Sequence, residues 1–340
     1  MEWIDLRSDT VTKPTKPMLE AMFSAKVGDD VFGEDETVNK LEATAADMFG
    51  MESGLYCPSG TMTNQIAIKL HTKPADEIIC DFSSHVYQYE GGGIAFNSGA
   101  SVQLLQGNRG RVTASEVEAA INNPDDIHKP ITTLVVLENT CNRGGGSCYE
   151  LADIESIRGI CLQNKLKLHL DGARIFNALV ARQQTPHQFG KLFDTISVCL
   201  SKGLGAPVGS VLLGSKEMIK RARRIRKVFG GGMRQAGLIA SAGLYALENH
   251  VERLAVDHKH AKMIEEALLT HSKVESVLPV ETNIVIFNLK DGIDTSQFIE
   301  QLKAKNILCF ATGKQQIRFV VHLDISEDMV ERVIKNLKTI

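Results

Sequence analysis

The chain has 340 residues, of which 43% are hydrophobic and 23% charged, a composition typical of globular proteins that excludes wholesale disorder. The formal net charge of −3 gives no electrostatic reason to expect nucleic acid or a membrane as a partner. Seven cysteines without a Cys-x-x-Cys pair argue against a disulfide framework or a structural zinc site and indicate reduced thiols in the cytoplasm. No signal peptide is predicted, and the longest apolar stretch, 237–247, is too short to span a bilayer.

Short apolar runs alternate with amphipathic segments of helical length over more than 150 residues. The runs predicted to be buried strands are 77–80, 102–105, 133–137, 166–170, 195–200 and 210–213. The segments predicted to be helices between them include 61–70, 114–122, 150–164 and 174–181. This alternation predicts an α/β domain with a mostly parallel sheet, which binds its ligands beyond the carboxyl ends of the strands.

The last part of the chain has a different pattern. Residues 216 to about 270 are predicted to be helical, because apolar residues recur there at spacings of three and four. The segments that follow predict a small α+β unit, with strands at 283–288 and 317–322 and helices at 295–305 and 327–337. We therefore predict a large ligand-binding domain, 1–250, and a small C-terminal domain, 251–340.

Several common catalytic signatures are absent from the sequence. There is no Walker phosphate loop, no His-Glu-x-x-His and no Gly-x-Ser-x-Gly. In the glycine-rich segment 203–209 the third glycine comes one residue too late for a dinucleotide fingerprint, and a proline lies inside the turn. No His, Cys and Asp residues have the spacing of metal ligands. The basic segment 216–227 is predicted to be a solvated or subunit-facing helix rather than a nucleic-acid site.

Two charged residues follow successive predicted strands. Asp171 lies where the strand 166–170 ends, although it could simply cap the helix that begins near Arg174. Lys202 leaves the next strand into a glycine-rich turn, although it could be an exposed loop lysine. Together they match what pyridoxal phosphate requires, a lysine for the imine and an acid partner for the pyridine nitrogen. Ser59, Gly60 and Thr61 open a helix and predict a phosphate cradle, or else an ordinary helix cap.

Seven motifs occur along the chain in a fixed order. Two of them are Leu-Asp-Gly-Ala-Arg-Ile-Phe-Asn at 170–177 and Cys-Leu-Ser-Lys-Gly-Leu-Gly-Ala-Pro-Val-Gly-Ser at 199–210, and the others lie at 5–12, 27–34, 58–62, 137–140 and 230–235. With these motifs the sequence resembles the low-specificity L-threonine aldolases, pyridoxal-phosphate enzymes of the aspartate-aminotransferase fold. The resemblance implies a fold of type I, with a seven-stranded, mostly parallel sheet flanked by helices and a smaller C-terminal α+β domain. It also implies cleavage of L-threonine and L-allo-threonine to glycine and acetaldehyde.

The resemblance further implies roles toward the cofactor. Lys202 would form the imine with pyridoxal 5'-phosphate, and Asp171 would keep its pyridine nitrogen protonated. His85 would stack on the ring, whereas an isolated histidine in such a loop more often makes one hydrogen bond. The phosphate would be bound by Ser59, Gly60, Thr61 and, from a neighbouring subunit, Arg234. The active unit would therefore be a homodimer, with a tetramer expected.

The substrate carboxylate would be clamped by Ser8, in the N-terminal segment, and Arg318, in a strand of the small domain. Arg174 would lie near the ring oxygen or that carboxylate, or else would be a surface arginine of the first helical turn. The candidates for the base that takes the β-hydroxyl proton are His85, His128 and a water between them. His128 could equally be a solvated loop histidine.

The sequence departs from the family at two positions. Cys141 stands where the family commonly has histidine, and Phe32 stands where it often has tyrosine. Either change could alter the stereopreference at the β-carbon or the rate. Three other functions stay open: another lyase or an aminotransferase using the same cofactor, an inactive cofactor-binding regulator, and a nicotinamide-dependent dehydrogenase.

Overall fold

The computed structural model describes residues 2–340. Its strands are β1 (Ile4–Asp5), β2 (Ser53–Cys57), β3 (Asp76–Asp81), β4 (Ser101–Leu105), β5 (Ile131–Glu138), β6 (Lys167–Gly172), β7 (Thr195–Cys199), β8 (Ser210–Gly214), β9 (Val274–Val277), β10 (Ile284–Leu289), β11 (Ile307–Leu308), β12 (Phe310–Ala311) and β13 (Gln316–Val320). Its α-helices are α1 (Lys16–Phe23), α2 (Glu36–Phe49), α3 (Gly60–His71), α4 (His85–Gln88), α5 (Ala114–Ala119), α6 (Leu151–Gln163), α7 (Ile175–Arg182), α8 (Pro186–Gly190), α9 (Lys216–Val228), α10 (Gly237–Asn249), α11 (Leu254–Leu269), α12 (Thr295–Ala304) and α13 (Glu327–Leu337).

A seven-stranded sheet forms the centre of the larger part of the molecule, in the order β2-β8-β7-β6-β5-β3-β4. Strands β4, β3, β5, β6 and β7 run parallel to one another, whereas β8 runs antiparallel to both of its neighbours, β7 and β2. The predicted α/β class with a mostly parallel sheet is confirmed. Because four consecutive parallel strands end at one edge, the residues that follow β3, β5, β6 and β7 converge there.

Strand β2 is the member of this sheet that the sequence did not predict. It contains Gly54, and glycine within a strand weakens the strand pattern. The structure shows why glycine is present, since a Cβ at Gly54 would lie 2.7 Å from the backbone oxygen of Glu42. Helix α2 thus packs directly on the backbone of β2, and this close approach cannot be read from local pattern.

Several helices begin at residues whose side chains cap them. Asp35 caps α2, Ser59 caps α3, and Thr113 forms a capping box with Glu116 at the start of α5. Helix α2 ends at Gly50, whose φ of 63° is the left-handed conformation that glycine adopts without strain. Within residues 2–340, every helix is too short or too polar to cross a bilayer.

A second, antiparallel sheet has the order β12-β13-β10-β9 and packs with α11, α12 and α13 around its own core. Strand β1 pairs in parallel with β11, and Ile4 and Leu6 are fully buried in this core. The first residues of the chain therefore pack with the C-terminal unit, whereas the predicted division had grouped them with 1–250. The boundary near residue 250 stays a prediction.

Candidate active site

An open cleft of about 510 Å³ lies where the carboxyl ends of the parallel strands face the second sheet. Its lining residues come from the N-terminal segment, from the loops after β3, β5, β6 and β7, and from the second sheet. They are Ser8, Thr10, His85, Tyr89, Glu138, Asn142, Arg143, Ala173, Arg174, Lys202, Phe310, Ala311, Thr312 and Arg318. The structure thus brings five of the predicted site residues, Ser8, His85, Arg174, Lys202 and Arg318, to one cavity.

Lys202 is the cation that follows β7. Its ammonium has no hydrogen-bond or ion-pair partner among residues 2–340, whereas its backbone oxygen accepts the hydroxyl of Thr12 at 3.3 Å. The turn behind it contains Gly205 with φ 79° and Gly209 with φ 115°, conformations that side chains other than glycine rarely adopt. The glycine-rich turn therefore positions an unpaired amine at the cleft, which suits a lysine that forms an imine.

Asp171 lies below the cleft and is 2% exposed. One carboxylate oxygen accepts the backbone N–H of Ala173 at 3.1 Å, and the other accepts the side-chain amide of Asn64 at 2.9 Å. Among residues 2–340 no basic side chain forms an ion pair with it. A buried carboxylate of this kind can pair with a cation supplied by a ligand, such as a protonated pyridine nitrogen.

His85 stands next to this carboxylate at the start of α4. Its Nδ1 lies 3.1 Å from Glu90, whose side chain is fully buried. Burial acts to lower the pKa of His85, but the hydrogen bond to Glu90 and the charge of Asp171 outweigh it and raise that pKa above its usual value. Ligand atoms of His85, Glu90 and Asp171 lie within 4.8 Å of one another. Because Asn64 bridges the two carboxylates, the group is a hydrogen-bond network rather than an open metal site.

Glu138, the last residue of β5, forms the floor of the cleft. Its two oxygens accept the backbone N–H groups of His85 at 2.7 Å and Asn142 at 2.8 Å. Burial, and then the nearby charge of Asp171, raise the pKa of Glu138 to about 7. One carboxyl group thus ties the His85 loop to the Asn142 loop and has a pKa close to neutral pH.

Three arginines line the cleft, and two of them, Arg174 and Arg318, differ in their partners. Arg174 forms a bidentate ion pair with Asp9, at 2.6 and 2.7 Å. Arg318 donates to the side-chain oxygen of Asn142 at 2.9 Å and to the backbone oxygen of Arg7 at 3.0 Å, and its buried Nε has no partner among residues 2–340. Burial, together with the charge of Arg174, lowers the pKa of Arg318 to about 10. Arg318 is therefore a partly buried cation with no carboxylate partner among residues 2–340.

The predicted phosphate cradle opens on a neighbouring depression of about 590 Å³. Ser59 caps α3 by accepting the backbone N–H of Met62 at 3.2 Å, so the interpretation of Ser59 as a helix cap is correct. A Cβ added to Gly60 would meet no atom within 4 Å. The first N–H groups of α3 have no acceptor within the helix, and together with the hydroxyl of Thr61 they form a cradle that fits a phosphate group.

Two predicted residues lie away from the cleft of their own chain. His128 is exposed in the loop before β5, whereas Glu138 at the other end of that strand lines the cleft. At about 3.3 Å per residue, β5 separates the two ends by about 23 Å. Arg234 is more than half exposed and pairs with Asp29 at 2.9 Å. Within one chain, neither side chain reaches the other predicted residues.

The two departures from the family pattern also lie outside the cleft. Cys141 is buried behind Glu138, and its Sγ donates to the backbone oxygen of that residue at 3.1 Å. Phe32 is 73% exposed. Neither lines the cavity that contains Lys202.

Sequence reasoning missed four residues that build the site: Asp9, Asn64, Glu90 and Glu138. The sequence contains a signal for three of them, because Asp9 and Glu138 lie within the family motifs at 5–12 and 137–140, and Asn64 lies just after the motif at 58–62. Glu90 carries no such signal, since only the fold of the loop after α4 brings it under His85.

Comparison with known proteins shows the family of the chain. The family model described as "Beta-eliminating lyase" matches residues 5–291. The chain belongs to the beta-eliminating lyase family. It is 40% identical over 337 residues to the "Probable low-specificity L-threonine aldolase 2" of Arabidopsis thaliana, covering 97% of this chain and 95% of that protein. It is also 40% identical over 330 residues to the "Low specificity L-threonine aldolase" of Escherichia coli K12, covering 97% of both chains. The resemblance expected from the motifs is confirmed.

Solved structures show the same fold in this family and beyond it. A threonine aldolase of Leishmania major has a TM-score of 0.86 at 21% identity and covers 99% of both chains. A serine palmitoyltransferase of Sphingomonas wittichii has a TM-score of 0.77 at 15% identity, covering 99% of this chain and 86% of that one. At these identities the similarity concerns the fold alone, and it confirms the predicted aspartate-aminotransferase-like architecture.

Proposed function

We propose that this chain is a pyridoxal-phosphate-dependent lyase that cleaves L-threonine, L-allo-threonine and related β-hydroxy-α-amino acids to glycine and an aldehyde. The observation that carries the proposal is the presence in one cleft of an unpaired lysine, Lys202, and a partly buried arginine without a carboxylate partner, Arg318, above the buried carboxylate of Asp171. The 40% identity to low-specificity L-threonine aldolases supports the choice of substrate class.

The residues present fit pyridoxal phosphate. Lys202 would hold it covalently, Asp171 would pair with its pyridine nitrogen, and the start of α3 with Ser59, Gly60 and Thr61 would hold its phosphate. When bound, the cofactor supplies an electron sink for the pair released as the Cα–Cβ bond breaks. The other residues of the site would act around the bound cofactor.

Arg318 would bind the substrate carboxylate through its guanidinium fork, with Ser8 as a second donor. Fixing the carboxylate decides which bond at Cα is aligned for cleavage, an orientation effect worth several kcal/mol. Arg174 would not provide the main charge for this step, since Asp9 already neutralises it. It would instead support Asn142, which lies 3.4 Å from its Nη1 and also accepts from Arg318.

His85 would take the proton of the β-hydroxyl group. Its Nδ1 faces Glu90, an acceptor, so that nitrogen carries a hydrogen and Nε2 is left for the cleft. The pairing with Glu90 also favours the imidazolium that forms when Nε2 gains a proton. Within one chain this makes His85, rather than His128, the better candidate for the base.

The experiment that tests the function measures acetaldehyde and glycine released from L-threonine and from L-allo-threonine by the purified protein, with Lys202→Ala as control. Acetaldehyde from the wild type alone supports the aldolase, and the ratio of the two rates gives its stereopreference. Ammonia and a keto acid in place of acetaldehyde would instead favour an eliminating lyase. A protein that cannot be loaded with pyridoxal phosphate would overturn the proposal.

We further propose that the active unit is a homodimer, assembled into a tetramer, in which Arg234 reaches the phosphate cradle of a second copy. The depression beside Ser59 and Thr61 is lined by Phe96, 91% exposed, and Val228, 83% exposed, an apolar surface that a second copy would cover. Mixing Arg234→Ala and Lys202→Ala subunits tests this arrangement. A shared site recovers activity in the mixed dimer, and no recovery would contradict it.

We also propose a cytoplasmic location. The seven cysteines are all free and buried, as suits a reducing compartment. Cell fractionation with antibody detection tests the location, and recovery with secreted proteins would contradict it.

A further inference from the structure

A line of buried hydrogen bonds runs from below the cleft to the far end of β7, and nothing in the proposed chemistry uses it. Asn64, on α3, lies 2.9 Å from Asp171 and 3.1 Å from Nε2 of His169 on β6. Nδ1 of His169 lies 2.9 Å from the hydroxyl of Thr195, and that hydroxyl lies 3.0 Å from Nε2 of His71. Asn64 is 2% exposed, and His169 and Thr195 are fully buried.

The orientation of the Asn64 amide follows from its neighbours. Its Nδ2 lies 2.9 Å from Glu90 and 2.9 Å from Asp171, and ionised carboxylates can only accept hydrogen bonds. The amide nitrogen must therefore face both carboxylates. The amide oxygen must face His169, and it needs a donor there.

That orientation determines which nitrogen of His169 carries the hydrogen. Burial lowers the pKa of His169 to about 3, so the ring is neutral and has one N–H. Nδ1 faces two atoms of Thr195, the hydroxyl at 2.9 Å and the backbone oxygen at 3.1 Å. Hydrogen on Nδ1 would bond to that backbone oxygen but would set the lone pair of Nε2 against the oxygen of Asn64, so the tautomer consistent with the orientation of Asn64 has its hydrogen on Nε2. In that tautomer Nδ1 accepts the hydroxyl of Thr195, that hydroxyl accepts from His71, and every side-chain bond along the line points toward the carboxylates.

The consequence for the site is that one amide serves two functional groups. Asn64 uses one N–H on Asp171 and the other on Glu90, so each of these neighbouring carboxylates receives a donor. Glu90 in turn accepts from Nδ1 of His85. If the amide of Asn64 were reversed, its oxygen would face two negative charges, and both contacts would become repulsive.

We propose that Asn64, locked in one orientation by His169, is a positioning residue that aims Asp171 at the pyridine nitrogen and Glu90 at His85. This inference rests on the proposed function in one respect, that Asp171 pairs with the pyridine nitrogen of bound pyridoxal phosphate. The orientation of Asn64 and the tautomer of His169 belong to the protein without ligand.

Two substitutions of His169 form a matched pair for the test. In His169→Gln the amide nitrogen reaches the position of Nε2 and can still donate to Asn64, whereas in His169→Asn it reaches only the position of Nδ1. We expect His169→Gln to bind pyridoxal phosphate with an affinity close to that of the wild type. We expect His169→Asn to bind it about tenfold more weakly or worse, because a hydrogen bond to a charged group is disturbed. The measurement is a fluorescence titration of the cofactor-free protein, alongside the unfolding midpoint of each variant.

This comparison separates positioning from mere packing. If His169 served only for packing, both variants would lose affinity for pyridoxal phosphate in proportion to the fall in their unfolding midpoints. Equal affinities of the two variants for pyridoxal phosphate would overturn the proposal. Asn64→Leu, which keeps the volume and removes both N–H bonds, should also bind at least about tenfold more weakly. It should shift the pH at which the visible absorption band of the loaded enzyme changes, because Asp171 loses a donor.

The tautomer of His169 gives a second, independent readout. In cofactor-free protein labelled with ¹⁵N-histidine, the spectrum of His169, assigned by its loss in His169→Gln, should show hydrogen on Nε2. Hydrogen on Nδ1 would overturn the proposal. Should the wild type bind no pyridoxal phosphate, the proposed function fails, and the tautomer still decides whether His169 orients Asn64.

Discussion

Arg174 and Asp9 form a buried bidentate ion pair, with Nε and Nη2 of the arginine 2.6 and 2.7 Å from the two carboxylate oxygens. Asp9 also accepts the side-chain amide of Asn283 at 3.2 Å. Burial alone would raise the pKa of Asp9, but the charge of Arg174 outweighs it and lowers that pKa to about 2. The pair joins the N-terminal segment to the start of α7, whereas Arg318 and Arg143, which also line the cleft, form no ion pair with a carboxylate among residues 2–340.

Asp9→Asn should destabilise the protein by about 3–5 kcal/mol, because it leaves Arg174 as an uncompensated buried charge. The matched control is Asp5→Asn, which removes a partly exposed pair with Arg7 and should cost at most about 1 kcal/mol. Urea unfolding of both variants measures the difference. Equal losses would show that burial of the Arg174 pair is not what makes it costly to break.

Arg318→Lys should raise KM for L-threonine about tenfold or more while changing kcat less, because an ammonium cannot reproduce a bidentate contact to a carboxylate. Arg143→Lys is the control, since Arg143 lines the same cleft but donates to the backbone oxygen of Thr312. Steady-state kinetics on both variants separates the roles. An unchanged KM in Arg318→Lys would remove Arg318 from the substrate clamp.

Glu138 gives the cofactor-free protein a definite pH dependence. Its pKa is raised in the folded state, so its contribution to stability is fully present below its unfolded pKa, near 4.5, and is lost as pH rises through about 7. At 1.36 kcal/mol per pKa unit, the loss approaches about 3 kcal/mol. Glu138→Gln, which cannot ionise, should flatten the unfolding free energy between these pH values. The same slope in both proteins would contradict the assignment.

Asp9 acts in the opposite sense and over a different range. Its folded pKa is depressed, so its contribution to stability is present above the unfolded pKa of about 4 and disappears as pH falls toward 2. Acid unfolding of the wild type should therefore be steeper in this range than that of Asp9→Asn. Parallel acid transitions would rule out Asp9 as a source of the slope.

His85→Ala should lower kcat about 100-fold or more, the usual contribution of a positioned general base. His128→Ala should have a much milder effect, because His128 lies at the amino end of β5, away from the cleft. The two variants are compared with L-threonine at saturation. Losses of equal size would place His128 in the site and would require that a second copy supplies it.

The sequence predicts those parts of the site that follow from strand ends. Asp171 and Lys202 could be identified because Asp171 lies at the end of the apolar β6 and Lys202 follows β7, and parallel strands bring such residues together. The partners of these residues could not be found this way. Asp9 meets Arg174 across 165 residues, and Asn64 meets Asp171 across 107, so each contact exists only once the domains are folded. The short β1 was not predicted as a strand for the same reason, since its pairing partner lies near residue 307.

The pairing of β1 with β11 attaches the start of the chain, from Ile4, to the C-terminal unit. The backbone oxygen of Leu6 accepts the backbone N–H of Val320, and that of Arg7 accepts from the side chain of Arg318, so the segment before Ser8 is bonded directly to the strand that contains Arg318. If the cleft opens by rotation of the C-terminal unit, Ser8 and Arg318 travel together and their spacing is preserved. Trimming the chain before Ser8 would therefore remove a strand that supports Ser8 and Arg318, the two residues of the proposed carboxylate clamp.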